Sequence, residues 1–99
     1  VTKLHWEPVD NASYLAIPPN KSQEFTTDMT YSHAPNYRGV IRSSYHLAIR
    51  GVVAIETYPT PGNPIVVTLY NHRDTTHTIR VGDEIALLVY EYCPEPDFT

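Results

Sequence analysis

No stretch of this chain sustains apolar residues at the spacing i, i+3, i+4 and i+7 for three helical turns, and nine prolines punctuate it. An amphipathic helix needs that spacing to bury one face, and proline inside a helix removes a hydrogen bond and clashes with the preceding turn. Alternation takes its place. Phe25, Thr27, Met29 and Tyr31 alternate with Thr26, Asp28 and Thr30, the period of a half-buried strand. Residues 37–42, 45–49 and 52–58 read as further strands, and residues 60–64, rich in Pro and Gly, as a forced turn. Residues 65–70 form a near-continuous apolar run, the pattern of a strand covered on both faces. A polar connection at 71–74, a strand at 76–81, a tight turn at Gly82 and Asp83 and a last strand at 84–92 complete the chain. In that strand Ile85, Leu87 and Val89 alternate against Glu84, Ala86, Leu88 and Tyr90. Short strands separated by turns every eight to twelve residues predict an all-β barrel or sandwich.

A chain of 99 residues suits one domain, near the lower limit for a core without staples. Its single cysteine, Cys93, excludes an internal disulfide framework, and its place before a proline suggests a buried, inert thiol. Residues 1–13 and 94–99 read as arms flanking the domain, of the kind that cross to a neighbour in an oligomer. A net charge of −4 argues against binding nucleic-acid backbone, and no apolar run is long enough to insert in a membrane as a helix. Asn11 and Asn20 open Asn-x-Ser acceptor patterns, which matter only for a secreted parent protein.

The order of the pieces resembles the trimeric dUTPase family over about residues 14–93. Residues 17–20 look like that family's Pro-Pro turn. Residues 35–44, with Gly39, Arg42, Ser43 and Ser44, are similar to its second motif. Residues 67–71 look like its Val-x-Leu-Phe-Asn strand, and residues 81–89 resemble its fourth motif. The resemblance implies a dUTPase-like β-barrel of short strands, assembled as a homotrimer. It also implies where chemistry is missing. The family's water-activating Asp falls by spacing on Tyr58 or Pro59, and neither takes up a proton in that role. Glu56 is the nearest carboxylate, two or three residues out of register. Leu87 and Glu84 stand where Gln and Arg are expected, and the Gly-rich closing motif has no counterpart after Tyr92. Arg50 and Gly51, the run from Leu69 to His72 with Asp74, and Val81 with Gly82 look like the catalytically inactive dUTPase-related proteins of adenovirus early region 4. The C-terminal residues 96–99 do not match the PDZ-binding ending of that group.

These readings lead to a non-enzymatic, trimer-forming protein-interaction module of viral type. Its rivals are a protruding or receptor-binding domain of a capsid or tail protein, and a residual nucleotide pyrophosphatase using Glu56. No cofactor or metal is expected. The partners expected are further copies of the chain and another protein, a host protein or receptor. Arg42, Ser43 and Ser44 are the candidate anion-binding remnant, because an Arg fork beside hydroxyls suits phosphate, although pairing with an acidic neighbour explains them as well. Tyr31, Tyr37, Tyr45, Tyr90 and Tyr92 are candidate interface residues, since eight tyrosines exceed what a small free surface usually shows. Val66, Val67, Leu69, Leu87 and Val89 are candidates for the threefold core. The histidines, His5, His33, His46, His72 and His77, lack a metal-ligand spacing. Ser44, His46 and Asp74 make a hydrolytic trio only on paper.

Overall fold

A computed structural model describes residues 1–32 and 35–93; His33 and the expected arm at 94–99 lie outside the described residues. Eight strands and one helical turn follow in order: β1 (Thr2–His5), β2 (Tyr14–Ile17), β3 (Ser22–Thr30), β4 (Tyr37–Ser43), α1 (Tyr45–Ala48), β5 (Val52–Ala54), β6 (Pro64–Asn71), β7 (His77–Arg80) and β8 (Glu84–Tyr92). All pairings are antiparallel, in three small sheets ordered β1-β8-β4, β2-β7 and β3-β6-β5. The architecture is the predicted all-β one.

One core joins the three sheets. Leu4 and Ala86 come from the first sheet, Ile17 and Ile79 from the second, and Phe25, Val67 and Leu69 from the third. At ~1.5–3 kcal/mol for each large apolar side chain removed from water, these residues supply the main force opposing chain entropy. Trp6, which meets Phe25 edge-on with ring centroids 5.4 Å apart, closes one side.

Four local features depart from the sequence expectation, each for a physical reason. Residues 2–6 are no arm. β1 pairs with β8, Leu4 and Trp6 are buried, and the Glu7 N–H donates to the Thr26 carbonyl at 2.9 Å, tying two sheets together. Residues 45–48 form a helical turn in place of a strand. The Ala48 N–H reaches the Ser44 carbonyl at 2.9 Å, Leu47 turns inward, and Gly51 at φ +84° ends the turn where a side chain would be strained. β6 is covered on one face only: Ile65, Val67 and Leu69 are buried while Val66 is 46% exposed. Finally, the strand expected at 52–58 stops at Ala54. The Ile55 N–H still bonds the Thr68 carbonyl, but Thr57 has crossed to β4, where its carbonyl accepts from the Ile41 N–H at 2.9 Å.

β8 carries a bulge. Leu4 faces Ala86 and His5 faces Glu84, so Ile85 is the extra residue. Ile85 and Ala86 therefore both point inward, and the side-chain phase reverses after them. Leu88 becomes core, while Leu87 and Val89 turn to the outer face, where they are half-buried.

Candidate functional site

The β4–β8 register sets Arg38 opposite Glu91, Val40 opposite Val89 and Arg42 opposite Leu87. Alternation then places Arg38, Val40 and Arg42 on one outer face. Val40 is fully buried there between the two arginines, outside the main core cluster. Glu91 collects both guanidiniums: Arg38 Nη2 donates to Oε2 at 3.1 Å and Arg42 Nη2 to Oε1 at 2.6 Å. Glu56, carried in by the crossing segment, approaches Arg42 Nη1 at 3.8 Å. From the same segment the Tyr58 ring stacks on the Arg38 guanidinium, 4.7 Å from its centroid. The hydrogen bond from Arg38, then that from Arg42, holds the Glu91 carboxyl below the usual carboxylate range. Exposed pairs of this kind add little stability, but they fix the side chains in place.

The three residues of the expected anion remnant do not converge. Arg42 is engaged as described. The Ser43 Oγ accepts from the Ala54 N–H at 2.9 Å, pinning β4 to β5. Ser44 is buried, and its Oγ has no hydrogen-bond partner among the described residues, so Ser44, His46 and Asp74 form no hydrogen-bonded trio.

The tyrosines divide in a way the sequence did not show. Tyr31 is core: it is buried, its hydroxyl accepts from the Gly39 N–H at 3.0 Å, and its ring stacks on Tyr90 at 6.1 Å. Tyr37 and Tyr92, cross-strand partners, meet edge-on at 5.5 Å and stay exposed. With Arg38, Tyr58, Pro59 and Pro61, Tyr37 frames an open cleft of about 270 Å³ where β4 begins and β8 ends. Cys93 is on its rim and exposed, against the expectation of a buried thiol, because β8 pairing ends at Tyr92. Tyr45, 71% exposed, stands apart at the other end of β4. Of the proposed threefold-core residues, Val67 and Leu69 are fully buried inside the subunit and unavailable to a neighbour; Val66, Leu87 and Val89 face outward.

Glu91 is the site residue that sequence reasoning missed. Its role depends on a pairing with residues 49 and 53 positions away, and only the β4–β8 register reveals it.

The fold and the sequence both have known counterparts. The dUTPase family model matches residues 9–99. The structure superimposes on native EIAV dUTPase with a TM-score of 0.77 at 17% identity, covering 99% of this chain and 89% of the other. It superimposes on a Staphylococcus bacteriophage 80alpha dUTPase mutant solved with dUpNHpp with a TM-score of 0.74 at 13% identity, covering 99% of this chain and 80% of that one. No curated protein matches the sequence significantly. With the family model spanning nearly the whole chain and both structures sharing its β-architecture, the chain belongs to the dUTPase family.

Proposed function

We propose that this chain is a non-enzymatic, self-associating interaction module of viral type on a dUTPase fold, with the tyrosine cleft as its contact surface. One observation carries the reading. Arg42, the second-motif residue that the family resemblance would direct at phosphate, already has its charge met by Glu91 at 2.6 Å and Glu56 at 3.8 Å. A triphosphate approaching that guanidinium meets two carboxylates first, and like charges at such range repel. The cleft beside it offers what protein partners use: rigid aromatic rings, prolines and one arginine already stacked on a ring. Calorimetric titration with dUpNHpp and magnesium tests this. The expected result is no binding heat up to millimolar nucleotide; micromolar affinity would remove the reading.

Self-association fits the outward apolar residues, Val66 on β6 and Leu87 and Val89 on β8. Their burial in a homotrimer would add apolar contact that a 99-residue subunit lacks.

A second reading has one observation in its favour. Glu56 is exposed and beside Arg42, so a carboxylate and a guanidinium share one face as a phosphate-cleaving site would need. In that case Glu56 is a residual general base, and Glu56→Gln abolishes whatever nucleotide turnover the protein shows.

A further inference from the structure

A second cationic cluster is separate from the Arg38–Arg42 face and has no carboxylate clamp. Gly51 ends the helical turn at φ +84°, and the Arg73 side chain packs over it, with Cγ 3.0 Å from where a Cβ at residue 51 would stand. That contact brings the 71–74 connection against the turn that carries Arg50, and the His72 N–H donates to the Gly51 carbonyl at 2.8 Å to hold it there. Arg50 is braced by its Nη1 donating to the His46 carbonyl at 2.9 Å. Arg73 Nη1 is 3.3 Å from His77 Nδ1 on β7. Among the described residues, neither Arg50 nor Arg73 lies within 4 Å of a carboxylate.

The backbone beneath is fixed. Asn71 is buried; its Nδ2 donates to the Ile17 and Thr75 carbonyls at 2.9 and 2.8 Å, and its Oδ1 accepts from the Arg73 N–H at 2.9 Å. The loop is thus organised before any ligand arrives, which lowers the ordering cost of binding. For Nδ1 to accept from a guanidinium, the neutral His77 ring must carry its proton on Nε2, which leaves that N–H as a donor.

We infer that Arg50, Arg73 and His77 form a binding site for a doubly charged oxyanion of the phosphate type. Two guanidinium forks and an imidazole are the donors such an anion selects, and a bound dianion would offset the charge that the fold concentrates there. The state of His77 agrees with this geometry. Partial burial first, then the charges of Arg73 and Arg50, lower its pKa, while Asp83 acts weakly the other way. Asp74, next to Arg73 in sequence, is exposed, and the paired strand β2 sets apolar Ile17 opposite His77. A dianion in the site reverses the local field, so binding and protonation of His77 favour each other reciprocally.

NMR of the whole chain tests the site. Phosphate, phenyl phosphate and sulfate are titrated separately to about 20 mM, with chloride matched for ionic strength as control. The expected result is saturable shifts of the His77 ring and Arg73 backbone signals, with sulfate, dianionic at every pH used, raising the His77 pKa. Arg50→Gln and Arg73→Gln each weaken binding about tenfold, and Lys3→Gln, an exposed cation on β1, leaves it unchanged. Tighter binding of phenyl phosphate than phosphate identifies a phosphoryl group on a larger molecule as the ligand; equal binding identifies the free ion. Shifts that chloride reproduces, or no saturation in any arm, would overturn the inference. Because Arg38 and Arg42 are not in this site, the outcome is independent of the fate of the proposed function.

Discussion

Three single residues show how a small barrel fixes its geometry with buried polar atoms. A Cβ at Gly39 would come 2.6 Å from the Tyr31 ring, which is held by its own hydrogen bond to Gly39 and by stacking on Tyr90. Gly39→Ala is therefore expected to cost about 1–3 kcal/mol, and Tyr31→Phe about 1–2 kcal/mol through the unpaired Gly39 N–H, both read by urea denaturation. Asn71→Leu strands the buried Ile17 carbonyl and unpairs the part-buried Thr75 carbonyl and Arg73 N–H, so a loss of roughly 3 kcal/mol is expected in the same measurement. Glu91 sets a pH prediction. Its folded pKa is depressed, so its contribution to stability is present above the ordinary carboxylate value and is lost as pH falls through the folded one. Stability measured from pH 6 down to 3 should fall less in Glu91→Gln than in the parent, and an equal fall would contradict the clamp. At this scale the sequence identified Arg42 and Ser43 as residues to watch, but not their employment. Arg42 needed Glu91 from a distant strand, and Ser43 needed the Ala54 backbone, contacts that only the folded register brings about.

Elements were legible in position where alternation recurs over several residues, even in strands that carry a bulge. Strands β3, β4 and β8 all lie where period-2 patterning places them. The failures have specific origins. A four-residue helical turn is too short to sustain a helical period, and the apolar residues in and after it, Leu47 to Ile49 and Val52 to Ile55, read equally well as strand. The bulge at Ile85 reversed the phase of β8, so a count of alternate residues put Leu87 and Val89 on the same face as Ile85. β1 is only four residues long, and its place in the core depends on pairing with the far end of the chain. That makes a test. Leu4→Ala is expected to destabilise by about 2–5 kcal/mol, as for any fully buried leucine, whereas a flanking arm would tolerate it. Another irregularity is on β3, where Thr26 faces Val66 but Thr30 faces Pro64. Thr27 fills the gap, its Oγ1 donating to the Ile65 carbonyl at 2.8 Å and lying 3.3 Å from the Met29 N–H. Thr27→Val should therefore cost about 1–3 kcal/mol despite its similar shape.

For the whole molecule, family membership was visible in the order of weak motifs, and the matching barrels agree with it despite identities of 17% and 13%. Function was less visible, because it turns on whether Arg42 is free, and charge pairing across strands leaves no local pattern. The proposed self-association predicts a thermal midpoint that rises with protein concentration. Val66→Asp, on the exposed face of β6, should shift sedimentation toward the monomer without unfolding the subunit. A monomer at micromolar concentration in the parent chain would remove that part of the account. The central claim is that the fold has been kept without its hydrolysis, and pyrophosphate release from dUTP with magnesium tests it most directly. The account predicts no release above the protein-free rate; catalytic turnover that Glu56→Gln abolishes would contradict it.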